Sequence, residues 1–199
     1  IDNKPLVFKT NNILSGKIDP GPNNVFFGQS AGAAITSGVN NTFIGHISGA
    51  ANLSGSNNLF AGHFAGNGNS VGSENVFLGQ DAGRSNTNGN LNTFVGEDAG
   101  LENTFGNENV FIGSGAGRNN LTGSNNAALG NSALSSNILG SRNAALGHSA
   151  LFNNTLGNEN AAFGYSALFS NLNGNRNAAL GHSALFNNTT GNENVAFGH

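Results

Sequence analysis

Asn109-Val110-Phe111-Ile112-Gly113-Ser114-Gly115-Ala116-Gly117-Arg118-Asn119-Asn120-Leu121-Thr122-Gly123-Ser124-Asn125 is one copy of a seventeen-residue unit that recurs in register from Asn24 to His199. An Asn opens every copy: Asn24, Asn41, Asn58, Asn75, Asn92, Asn109, Asn126, Asn143, Asn160, Asn177 and Asn194. No insertion or deletion breaks the count. The fifth place is always Gly, from Gly28 to Gly198, and the fifteenth is Gly in every complete copy, from Gly38 to Gly191. The eighth is Ala except for Ser48, and the twelfth is Asn except for Ile35. Such regularity requires one backbone shape repeated ten times with an eleventh begun, each unit depending on its neighbours for burial.

The first four residues of a unit read as a β segment: Asn-Val-Phe-Ile in one copy, Asn-Thr-Phe-Val in another, Asn-Ala-Ala-Leu later. Two Gly per unit and an Asn-rich remainder leave no window in which a helix would nucleate. The predicted fold is therefore all-β, a parallel β-solenoid (β-roll or β-helix). Residues 24–199 form ten complete coils and a partial eleventh, making a rod of roughly 50 Å at about 4.8 Å per coil.

Side chains alternate along a strand, so the second and fourth places share one face and the third looks the other way. The fourth is apolar throughout, from Phe27, Ile44 and Ala61 to Leu180 and Phe197, and is expected to form the inner core. The third is Phe in six units (Phe26, Phe43, Phe60, Phe77, Phe94 and Phe111) and Ala thereafter, Ala128 to Ala196. At the same boundary the ninth place changes from Gly to Leu (Leu134, Leu151, Leu168, Leu185), and Phe152, Phe169 and Phe186 then appear in the tenth. Close packing penalises voids and overpacking alike, so a paired exchange means that the third and ninth places share a volume. With the fourth place inside, the six Phe become candidates for an oligomer interface, and a long exposed apolar stripe needs a cover.

Asn repeated at the first and twelfth places predicts amide ladders from coil to coil. Arg142, Glu159, Arg176 and Glu193 occupy the seventeenth place of successive units, so parallel stacking sets opposite charges side by side. Residues 1–23 lie outside the period. Leu6 to Thr10 reads as a strand, Asn11-Asn12 as a turn, Ile13 to Ile18 as a second strand and Asp19-Pro20-Gly21-Pro22 as a stop. This hairpin is either a cap over the first coil or a connector to an upstream shaft. The absence of an initiator Met and the end in mid-unit suggest a piece of something longer.

Charged residues make up 9% of the chain and the net charge is −3, with no basic patch, so phosphate-driven nucleic-acid binding has no support. There is no Cys for a disulfide or thiolate site. No run of apolar residues is long enough to span a membrane, so no insertion by this segment is expected. All five His, at 46, 63, 148, 182 and 199, fall in the sixth place, which makes His46, His63, His148 and His182 the candidate metal ligands. Gln29, Gln80, Glu97, Ser114, Asn131 and Tyr165 fill the same place, so the expectation is a polar turn position and no metal or other cofactor. Asp81 and Glu97-Asp98 lack any Asp ladder that would hold calcium, and no carboxylate pair is set for catalysis. Gly113-Ser114-Gly115-Ala116-Gly117 resembles a phosphate loop only superficially, since no helix follows. Asn40, Asn52, Asn120, Asn153, Asn187 and Asn188 head N-glycosylation triplets that composition alone would produce.

At its Asn-x-Phe/Ala-Ile/Leu-Gly-x-x-Ala core the unit resembles the head repeats of YadA-type trimeric autotransporter adhesins. It resembles still more the seventeen-residue Asn-rich repeats of tail-fibre-like and surface-fibre proteins of bacteria and phages, as in Asn143-Ala144-Ala145-Leu146-Gly147-His148-Ser149-Ala150-Leu151-Phe152-Asn153-Asn154-Thr155-Leu156-Gly157. Pro5-Leu6-Val7-Phe8-Lys9-Thr10-Asn11-Asn12 is similar to the lead-in before such fibres. The resemblance implies a left-handed coil, a homotrimer that can extend into a longer filament, an extracellular, cell-surface or virion-surface location, and a non-catalytic role as a fibre shaft. Its rival is a flat-faced binding solenoid, either a glycan-binding adhesin or an ice-binding protein. An ice face needs a regular Thr ladder, and the thirteenth place mixes Thr36, Leu53, Ser70, Thr87 and Leu121. A hexapeptide-type acyltransferase would need an eighteen-residue coil and an active-site His on a loop extension, and this chain has neither.

Overall fold

The computed structural model describes residues 4–199. The hairpin expected over residues 1–23 is thus seen from residue 4 onward, and residues 1–3 lie outside the described residues. Thirteen strands form one sheet in sequence order, and no helix occurs among the described residues. β1 (Leu6–Thr10) and β2 (Ile13–Asp19) make an antiparallel hairpin, and β2 pairs antiparallel with β3 (Asn24–Phe27). From β3 onward every pairing is parallel, through β4 (Thr42–Ile44), β5 (Leu59–Ala61), β6 (Val76–Leu78), β7 (Thr93–Val95) and β8 (Val110–Ile112). β9 (Ala127–Leu129), β10 (Ala144–Leu146), β11 (Ala161–Phe163), β12 (Ala178–Leu180) and β13 (Val195–Phe197) continue it. Each residue pairs with its equivalent seventeen places on, as Phe77 does with Phe94. The chain is a parallel β-solenoid.

The remainder of each coil is turn, yet it too is bonded to the next coil. Gly32 N–H donates to Ser48 O, Ala34 to Ala50 and Thr36 to Leu53, so the backbone is stitched around its whole circumference. Gly at the fifth place is required twice over. Gly79 has φ +137°, which L-residues avoid, and a Cβ there would lie 2.5 Å from the carbonyl oxygen of Gly96 in the next coil.

The core overturns one expectation. The third place, not the fourth, faces the lumen: Phe43, Phe60, Phe77, Phe94 and Phe111 are completely buried, whereas Ile44, Leu129 and Leu146 in the fourth place stand exposed. The candidate interface residues Phe26, Phe43, Phe60, Phe77, Phe94 and Phe111 are therefore the interior of the single chain. Their rings stack at centroid separations of 4.7–5.1 Å. The ninth-place glycine explains why the Phe side points inward. A Cβ at Gly117 would sit 2.3 Å from the Phe111 ring, because the ring lies flat on the opposite wall of the coil. Where the third place shrinks to Ala128, Ala145, Ala162 and Ala179, Leu134, Leu151, Leu168 and Leu185 reach across from that wall. The two places share a volume as expected, but it is the lumen of one chain and not a contact with a partner.

Candidate functional site

The Asn ladders are internal fastenings. At the twelfth place Asn69 Nδ2 donates to Asn52 Oδ1 at 2.7 Å, and the same link runs rung by rung to Asn188 and Asn171 at 3.0 Å. At the first place the Oδ1 of each Asn accepts the backbone N–H of the next Asn, as Asn24 does from Asn41 at 2.8 Å. Both ladders meet at the fifteenth-place carbonyl: Asn41 Nδ2 and Asn52 Nδ2 each donate to Gly55 O at 2.9 Å. A Cβ at Gly55 would lie 2.4 Å from Asn52 Oδ1 and 2.2 Å from Gly72 O, which is why that place is always Gly. No buried side-chain polar atom lacks a partner among the described residues. Ser48, the exception at the eighth place, satisfies its hydroxyl on Phe60 O at 3.2 Å. Asn52 and Asn120 are fully buried in this ladder, so their glycosylation triplets are inaccessible in the folded chain.

The sixth-place side chains stack along the outside of a turn. His46 and His63 lie 5.3 Å apart at 9°, and His148, Tyr165, His182 and His199 form a column with separations of 5.0–5.1 Å. His148 Nδ1 and His182 Nδ1 each bond the neighbouring hydroxyl, Ser149 Oγ and Ser183 Oγ, at 3.0 Å. The candidate ligands thus meet only as pairs, His46 with His63, while Tyr165 separates His148 from His182. Among the described residues no cluster of three or more His, Asp or Glu is placed to hold a metal ion. Rings stacked this closely also cover one another's faces, which removes the platform on which a sugar ring would lie.

The seventeenth-place charges form a chain of exposed ion pairs beside a shallow groove of about 620 Å³. Arg142 meets Glu159 at 3.2 Å, Glu159 meets Arg176 at 3.2 Å, and Arg176 meets Glu193 at 3.1 Å. Hydrogen bonds donated by Arg176 to Glu193 and then to Glu159 raise the Arg176 pKa. Each charge of this row is answered by its neighbour.

What remains is the outer face of the sheet. The second-place column (Val25, Thr42, Leu59 and onward) and the fourth-place column (Phe27, Ile44, Ala61 and onward) both point away from the lumen. The columns do not stop at the first coil. Val25 pairs with Ile18 and Ile18 with Leu6, while Phe27 pairs with Gly16 and Gly16 with Phe8. The Phe8 and Phe27 rings lie 5.5 Å apart across Gly16. A two-column, mainly apolar strip therefore crosses all thirteen strands, hairpin included, with Thr42 and Thr93 in the second-place column and Gly16 in the other. On the opposite side of the hairpin Lys17 pairs with Phe26, the first core ring, and its ammonium meets Asp19 at 2.6 Å. Sequence reading did not single out the second-place column. The available signal was the exchange between third and ninth places, because two places on opposite walls can share a volume only inside the coil.

No protein family, curated protein or solved structure matches the chain. No helix among the described residues is long and apolar enough to cross a membrane.

Proposed function

We infer that the chain is the non-catalytic shaft of an extracellular or virion-surface fibre, assembled from copies of itself through the outer face of the sheet. The observation that carries this reading is the mainly apolar strip over thirteen strands, whose fourth-place column is apolar on every strand from β3 to β13, with Ile44 46% and Leu146 44% exposed. A strip of this length is rare on a soluble monomer and marks an interaction surface. A homotrimer, with three strips facing a common axis, is the arrangement implied by the adhesin-head and tail-fibre repeats that the unit resembles. A left-handed winding belongs to the same reading. Uniform coils, self-satisfied amide ladders and the paired row of charges from Arg142 to Glu193 suit a rigid spacer better than a pocket-bearing domain. Against an ice-binding face, Thr36, Thr104 and Thr155 spend their hydroxyls on the carbonyls of Leu53, Leu121 and Leu172.

Small-angle scattering of the full chain in solution tests this reading. A rod of roughly 60 Å, thirteen strands at about 4.8 Å, whose cross-section holds more than one coil supports it. A rod of the same length with a single-coil cross-section would sink the shaft and leave a monomeric solenoid.

A further inference from the structure

The outer face carries a size pattern as well as apolarity. From β9 to β12 the second-place column is Ala127, Ala144, Ala161 and Ala178, and the fourth-place column is Leu129, Leu146, Phe163 and Leu180. A trough floored by Ala therefore runs along the solenoid axis beside a ridge of large side chains. Two hollows open in it, one of about 210 Å³ over Ala127 and Ala144 and one of about 220 Å³ over Ala161 and Ala178, both lined by apolar residues alone. At β5 the sizes reverse: Leu59 is the only Leu of the second-place column and Ala61 the only Ala of the fourth. Both side chains point out of the coil, so nothing within one chain calls for the exchange. A close-packed surface facing them does.

We propose that this surface is a second copy of the chain, lying parallel and level with the first, with the fourth-place ridge of each copy seated in the second-place trough of the next. This rests on the self-association inferred above and adds its polarity and register. Rotation about an axis parallel to the solenoid sets the fourth place against the second place of the neighbouring copy. It keeps every rung level, whether the ring closes with two copies or three. Rotation about an axis lying across the face reverses one copy, sets ridge on ridge and trough on trough, and leaves the hollows unfilled. Register follows from β5. Unshifted copies give Leu59 the Ala61 of the neighbour, whereas a shift of one rung gives it Ile44 or Leu78.

The occupant is a copy because the strip keeps its two columns over thirteen strands and across the antiparallel junction into the hairpin. Only a partner with the same rung spacing and the same length meets all of them. The size is adequate. The strip is about 60 Å by 10 Å, roughly 600 Å² per copy as a flat projection, close to the ~800 Å² per partner of a stable interface.

The chain has no Cys, so Thr10→Cys gives the exposed hairpin a unique spin label, and the distance between labels in the assembled full chain can be read by pulsed dipolar spectroscopy. Parallel copies bring the labels within about 35 Å of each other, whereas reversed copies hold them roughly 60 Å apart, the length of thirteen strands. The long distance would overturn the parallel arrangement while leaving self-association intact, and a monomer with no dipolar signal would overturn both. Ala144→Phe fills the trough with a side chain that points to open solvent in the single chain. The β circular dichroism should survive while the dissociation constant of the assembly rises at least about ten-fold. Unchanged assembly by this variant would refute the seating of ridge in trough.

Discussion

At the scale of single residues, the third and ninth places show how a core is specified by volume and backbone strain together. Leu134 is fully buried with φ +55°, a left-handed conformation that costs a bulky residue roughly 1–2 kcal/mol. Burying its side chain returns roughly 1.5–3 kcal/mol. Gly at the same place avoids the strain and leaves room for Phe, so the two solutions are close in free energy and both occur in one chain. Ala128→Phe alone should overpack the lumen against Leu134 and destabilise by about 1–3 kcal/mol. Adding Leu134→Gly should recover most of that by extending the Phe stack one rung beyond Phe111. Urea unfolding of the two single variants and the double variant checks this, and additive losses would mean that the places do not share a volume. Asn103→Ala removes a rung that accepts from Asn120 at 2.7 Å and donates to Asn86 at 2.8 Å. Orphaned buried amide groups should lower stability by roughly 1–3 kcal/mol each in the same assay. Phe77→Asp buries a carboxylate in the lumen and should abolish the cooperative transition. Arg84→Asp, which gives up an exposed pair with Asp81 at 3.3 Å, should change stability by about 1 kcal/mol or less.

At the scale of the element, the period, the strand in the first four places, the hairpin strands and the parallel register were all legible in the sequence. Those features depend on repetition, turn chemistry and alternation. Alternation fixes which places share a face but not which face is inside, and the consistently apolar fourth place drew the wrong choice. The third place is the more restricted of the two, Phe in six units and then Ala in five, because it is the core: its size changes only where the facing ninth place changes with it, from Gly117 to Leu134. An exposed place can therefore be apolar throughout and still vary freely in size, as the fourth does from Ala61 to Phe163. The glycines were legible as fixed but not as to cause. Gly79 is held both by φ and by the Gly96 carbonyl, whereas Gly55 is held by contact alone. Gly79→Ala should therefore interrupt coil stacking between β6 and β7. Solenoid coils couple only to their neighbours, so thermal unfolding followed by circular dichroism should split into two transitions. A single transition at the wild-type midpoint would show that the close approach at the fifth place is not required.

At the scale of the whole molecule, the candidate site was legible as a need but not as a place. The sequence called for an apolar stripe in want of a cover, and it named Phe26 to Phe111 for that role. The structure encloses those rings within one chain and leaves the second and fourth places outside instead. The same physical argument then applies to a different surface, one that also takes in Leu6, Phe8 and Ile18 of the hairpin. The proposed shaft would draw its stiffness from two sources: amide ladders along each chain and an apolar seam between chains. Sedimentation equilibrium of the full chain beside its Leu146→Asp variant reads that seam. We expect the wild type to show the mass of three copies and the variant, whose new carboxylate points outward and spares the lumen, to dissociate towards one copy with its β signal retained. A wild-type chain that sediments as a stable monomer with full β content would contradict the account.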